Sequence, residues 1–213
     1  IGNNRYEWCT TYMAVTTGNM VIVPLDKALP EGEMKNLIQR SEAEAVVFDS
    51  KYKETMLEVK KDDTNNVKIL ISMDDDKDEG IEKYSEILKN GYELLEKGDT
   101  KYQEIKIDNQ KMSIMLFTSG TTNLPKAVML TQANICANIS AIATWVKLYP
   151  TDTLLSFLPI HHTFECTITF LYGLYGGTTV AFCDGLKYIQ KNLQEYQVSD
   201  CVSHNLDPYL RVA

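Results

Sequence analysis

Positive charge is in short supply. The 213 residues hold 21 Lys and Arg against 29 Asp and Glu, a formal net charge of −8. That balance argues against non-specific binding to nucleic acid or to an anionic membrane surface, since both need clustered cations. It leaves room for a small amide-rich pocket that takes a phosphate. The five cysteines (Cys9, Cys136, Cys166, Cys183 and Cys201) form no CxxC pair. A disulfide framework or a zinc site therefore has no support. The expectation is buried, reduced thiols in a cytoplasmic protein, with Cys136, Cys166 and Cys183 in apolar-rich surroundings. No stretch is predominantly apolar over the roughly 20 residues of a spanning helix. Residues 127–146 and 166–183 are uncharged, but polar side chains dilute the first and Gly176-Gly177 breaks the second. Both read as buried parts of a folded core. No basic segment precedes an apolar one at the start, so no signal peptide is expected. Repeats and low-complexity tracts are absent as well.

What is present is ordinary globular composition, 44 % hydrophobic and 23 % charged, in a chain long enough to bury a core without staples. Short β-branched or apolar runs at Met20–Pro24, Ala45–Phe48, Val67–Ile71, Met112–Phe117, Thr153–Leu158 and Thr178–Phe182 read as strands. Helical patterns separate them at Glu33–Arg40, Ile81–Glu96 and Leu186–Tyr196. Between 131 and 146, Ile135, Ile139, Ile142 and Val146 form one apolar stripe, with Thr131 as N-cap. Alternating strands and helices predict an α/β fold, a mostly parallel sheet covered by helices. The acidic run Asp74–Glu79 reads as a solvated surface excursion.

The chemistry-bearing stretch is Leu116–Val128, LFTSGTTNLPKAV. An apolar strand runs into a loop of four hydroxyls around one glycine, followed by a proline and a lysine. Hydroxyls and backbone N–H groups can surround a polyphosphate, Gly120 permits close backbone approach, and Lys126 adds a mobile positive charge. It is not a Walker A loop, because Pro125 precedes Lys126 and Ala127 follows it. No GxGxxG is present, so a dinucleotide-binding fold has no support. Downstream, Leu158–Glu165 reads LPIHHTFE. As metal ligands, His161, His162 and Glu165 have awkward spacing, since adjacent histidines do not share one ion as easily as a pair one helical turn apart. An HHxxxD acyl-transfer reading fails because Cys166 occupies the Asp position.

The first loop resembles the T-S-G-T-T-G-x-P-K-G signature of the adenylate-forming (AMP-binding) superfamily. The match covers Thr118, Ser119, Gly120, Thr121, Thr122, Pro125 and Lys126, with departures at Asn123 and Ala127. The second segment resembles the L-P-x-x-H stretch of acyl-CoA synthetases, and its H-x-F-E ending resembles bacterial long-chain fatty acid–CoA ligases. The likeness extends from Ile1 to about Val198. It implies that Thr118 to Thr122 and Lys126 bind the phosphates of ATP, that Thr121 contacts Mg2+ through Mg-ATP, and that Lys126 and His162 act in catalysis. His162 would stand where the acyl carboxylate meets the nucleotide. Implied substrates are a fatty acid, ATP and coenzyme A. Peripheral membrane contact belongs to the whole enzyme.

The family's Y-G-x-T-E adenine segment, its S-G-D ribose segment and its C-terminal domain with a catalytic lysine have no counterpart in these residues. The expectation is a partial N-terminal AMP-binding domain, inactive alone. Its first α/β subregion would span 1–111, and its phosphate-loop and acyl-site subregion 112–213. Alternatives are another adenylating ligase, such as an acyl-AMP ligase or a short-chain or aromatic acid–CoA ligase, and an inert nucleotide-binding or interaction module.

Overall fold

The computed structural model describes residues 1–76, 78–118 and 125–199. The chain separates into two compact units, Ile1–Gln132 and Ala133 onward. This division falls later in the chain than the subregion boundary drawn from the sequence, because the strand at Met112 pairs backward with the first unit.

In the first unit, α1 (Tyr6–Thr17) and α2 (Glu31–Arg40) precede β1 (Ala45–Phe48), and α3 (Lys53–Lys61) leads to β2 (Ile69–Ser72). A short β3 (Glu82–Lys83) opens α4 (Tyr84–Glu96). Strands β1, β2 and β3 form a parallel sheet. Met34, Leu37 and Ile38 stand on one face of α2, and Met56 and Val59 on one face of α3. That spacing turns both helices onto Val46, Phe48 and Leu70 in a single apolar cluster. Phe48 and Leu70 are fully buried, each worth about 1.5–3 kcal/mol against exposure. The helix read at Ile81–Glu96 starts three residues later than expected, since residues 82 and 83 continue the sheet beside β2.

Strand β4 (Met112–Thr118) pairs antiparallel with β5 (Lys126–Thr131), and on its other side Ile22 bridges Ile114 in parallel. The run Met20–Pro24 therefore contributes one bridge rather than a full strand. Its N–H at Ile22 donates to the Ser113 carbonyl (2.8 Å), and the Met115 N–H donates to the Ile22 carbonyl (2.9 Å). The antiparallel β4–β5 pair was not legible as such, and the fold combines parallel sheets with this hairpin. An apolar cavity of about 670 Å3 lies among α1, residues 20–25 and β1, lined by Trp8, Tyr12, Val21, Val23 and Val46. It includes neither Thr118 nor Lys126.

The acidic run is partly structural, contrary to its reading as a solvated loop. Asp74 accepts from Arg5 Nη1 (2.5 Å) and from the Ser50 N–H (2.8 Å), and Asp76 accepts from the hydroxyls of Ser50 and Ser72 at 2.7 Å each. Arg5 also reaches Asp49 and the Met73 carbonyl. The segment Asn3–Arg5 thus ties the start of the chain to the loops after β1 and β2.

In the second unit, α5 (Gln132–Trp145) continues from β5 across the division. β6 (Thr153–Ser156) runs parallel to β7 (Thr179–Phe182). A helical run connects them: α6 (Thr163–Glu165), a π-helical stretch (Cys166–Tyr172) and α7 (Gly173–Gly176). The last helix is α8 (Ile189–Glu195). Ile142 and Leu148 pack on Leu154 and Ile168, so the 135–146 stripe turns inward as its spacing predicts. Gly173 lets the helix lie on β6, since a Cβ there would come 2.9 Å from Leu154. Gly177 ends the run at φ +70, a left-handed turn that favours glycine. Cys9 and Cys166 are buried and Cys183 is half-buried, but Cys136 is exposed on α5, beside the inward stripe. The expectation of three buried thiols fails at that position. Cys201 lies outside the described residues. Among the described residues, no helix is long and apolar enough to cross a membrane.

Candidate active site

The β4–β5 hairpin, in the first unit, carries the phosphate-loop signature. Thr118, the last residue of β4, pairs with Lys126, the first residue of β5. Seven residues lie between them, and of these Ser119, Gly120, Thr121, Thr122, Asn123 and Leu124 lie outside the described residues. Both ends of the signature are thus held together by strand pairing at the C-terminal end of β4, the side on which parallel strands present ligands. Lys126 opens β5. Its backbone is fixed in the ladder and only its side chain extends into solvent. Ala127 pairs with Phe117 and has no left-handed backbone, so a side chain fits where the family signature has glycine.

Sequence reasoning missed Arg40. From the end of α2 its Nη2 donates to the Pro125 carbonyl (2.8 Å), and its guanidinium lies 5.4 Å from the Phe117 ring centre. It touches β4 and the residue just before β5 at the mouth of the hairpin. Only its place at a helix end hinted at this, and helix-terminal arginines are too common to single out.

In the second unit, the turn after β6 carries His162. The His162 N–H donates to the Pro159 carbonyl (2.9 Å), the Cys166 N–H donates to the His162 carbonyl (3.0 Å), and Ile160 is buried beneath the turn. His162 caps the helical run, its Nδ1 accepting from the Phe164 N–H at 3.3 Å. The imidazole is exposed. Glu165 faces the other way. It is 1 % exposed and accepts from the hydroxyls of Ser156 (2.6 Å) and Thr169 (3.0 Å). Among the described residues, no three His, Cys, Asp or Glu side chains converge as metal ligands.

Burial pushes the Glu165 carboxyl above its usual range, outweighing the opposite pull of Ser156, Thr169 and the Phe157 amide. An acid whose folded pKa exceeds its unfolded value of about 4.3 weakens the fold as pH rises from that value through the folded one. Glu165→Gln cannot ionise. It is expected to melt above the parent at pH 7 and to lose that advantage as pH falls toward about 4. Melting curves of both proteins at the two pH values check this, and an equal difference at both would contradict it.

The family model for AMP-binding enzymes matches residues 1–203, and the chain belongs to that family. It is 30 % identical over 201 residues to long-chain-fatty-acid–CoA ligase 6 of Homo sapiens, covering 90 % of this chain and 29 % of the relative. It is 34 % identical over 175 residues to long-chain-fatty-acid–CoA ligase 5 of Rattus norvegicus, covering 76 % of this chain and 25 % of the relative. The chain thus spans less than a third of the length of these relatives. The fold is shared with a solved structure described as a putative long-chain-fatty-acid CoA ligase of Rhodopseudomonas palustris. That match has TM-score 0.78 and 16 % identity, and covers 92 % of this chain and 47 % of the other. It is also shared with a long-chain-fatty-acid-CoA ligase of Archaeoglobus fulgidus, at TM-score 0.74 and 21 % identity, covering 93 % of this chain and 38 % of the other.

Proposed function

We propose that this chain is the phosphate-binding and acyl-binding part of an ATP-dependent long-chain fatty acid–CoA ligase of the cytoplasm. In the first half-reaction a fatty carboxylate oxygen attacks the α-phosphorus of ATP. The bond to the β-phosphate oxygen breaks, and pyrophosphate leaves. In the second, the thiol of coenzyme A attacks the acyl carbonyl, loses its proton and releases AMP. The observation that carries the reading is the pairing of Thr118 with Lys126, which sets a hydroxyl and a cation at the two ends of the signature loop.

Within that reading, Thr118 to Thr122 and the loop amides hold the phosphates. Lys126 neutralises charge as pyrophosphate departs, and His162 orients the carboxylate. Mg2+ enters with ATP and would add charge neutralisation at the phosphates, near Thr121. The long-chain preference rests on the H-x-F-E ending and on the named relatives.

Pyrophosphate exchange in the catalytically complete enzyme tests the reading. Exchange driven by palmitate and not by acetate or benzoate is the expected result, and exchange driven only by the small acids would overturn the substrate. The 213-residue chain by itself is expected to give no acyl-adenylate, because it carries no adenine segment, ribose Asp or C-terminal lysine of the family pattern. Acyl-adenylate detected by mass spectrometry with this chain alone would refute that part.

A further inference from the structure

Glu165 has no part in the reaction as drawn, yet it is buried and doubly hydrogen-bonded. Ser156 ends β6, and Thr169 lies one turn beyond Glu165 in the helical run. One carboxyl group therefore fastens β6 to the helical run on either side of the loop 157–162, and His162 ends that loop. The run beyond Glu165 is π-helical over Cys166–Tyr172, a geometry that in short stretches is rare and often marks functional sites. At His162, the Phe164 amide donates to Nδ1 at 3.3 Å. A ring nitrogen that accepts carries no hydrogen, so a neutral imidazole in this position has its proton on Nε2.

We propose that Glu165 is a positioning residue. By tying Ser156 to Thr169 it holds the loop in the form that locks His162 as the Nε2–H tautomer. His162 then meets the substrate as a neutral hydrogen-bond donor. This rests on the reading of His162 as a contact to the acyl carboxylate, and it defines the chemistry of that contact. A fatty carboxylate attacks without giving up a proton, so the reaction has no need of a base at this point. A donor fixed on one carboxylate oxygen leaves the other aimed at phosphorus.

The 213-residue chain labelled with 15N-histidine provides the test, with long-range 1H–15N correlation spectra taken at about pH 8, above the ordinary imidazole range. Loss of signals in His162→Gln assigns the ring. The expected pattern is an Nε2–H tautomer in the parent chain, the same in Glu165→Gln, and a mixture of tautomers in Glu165→Leu. Gln still offers a donor and an acceptor to the two hydroxyls, whereas Leu fills similar space with neither. If near-UV circular dichroism shows that Glu165→Leu is unfolded, Ser156→Ala and Thr169→Val, each removing one anchor, carry the comparison. An Nδ1–H or mixed signature in the parent overturns the proposal, as does an unchanged Nε2–H signature in folded variants that lack the anchors. No substrate is involved, so this outcome is separate from the functional reading. A locked tautomer together with normal adenylation in His162→Ala would sink the role of His162 alone.

Discussion

Lys126→Ala in the catalytically complete enzyme is expected to slow acyl-adenylate formation by about 10²–10³-fold, the typical cost of removing one positioned donor from developing charge. The fold should survive. Lys126 joins β5 through its backbone, which Ala preserves, and its side chain extends into solvent. Among the described residues, no ion pair holds its ammonium. A melting temperature within the range of an ordinary surface substitution, a change of about ±0.5 kcal/mol, is therefore expected. Lys126→Arg should recover part of the rate, since a guanidinium retains charge but not the compact ammonium geometry. Pyrophosphate exchange measured with saturating fatty acid checks both variants. Normal exchange in Lys126→Ala would mean that the signature loop does not work through its lysine.

Much of this was legible in the sequence, for physical reasons that differ from place to place. Ala45–Phe48 and Thr179–Phe182 are compact β-branched or apolar runs and became strands in parallel pairs. The 135–146 stripe packs inward because its spacing follows the helical period. Met20–Pro24 looks equally strand-like but makes a single bridge, since propensity describes a half-buried surface and not the partner that must be present beside it. Lys126 was read as a mobile charge following the loop and Pro125. The proline stands just before the strand, where its missing N–H costs no ladder bond. Asp74 and Asp76 looked like part of a solvated charge run because the sequence cannot show Arg5, some 70 residues away, folding back to meet Asp74. Glu165 was visible in the H-x-F-E ending and in a metal-ligand reading that its spacing disfavoured. Its burial depends on Ser156 and Thr169, which the sequence places nine positions before it and four after it.

The central claim is that the hairpin signature and the turn at His162 serve one chemical step, with the loop holding ATP and the histidine holding the carboxylate. Single-turnover acyl-adenylate formation by the catalytically complete enzyme carrying His162→Ala, measured beside its ATP affinity and its melting temperature, tests this most directly. The imidazole is exposed, and among the described residues its side chain serves the fold as the cap of a helical run. Its loss should therefore lower stability by only about 1 kcal/mol. The account predicts adenylation slowed by roughly 10²-fold, with ATP affinity unchanged. Adenylation at the parent rate alongside a large fall in melting temperature would contradict it and make His162 a structural residue.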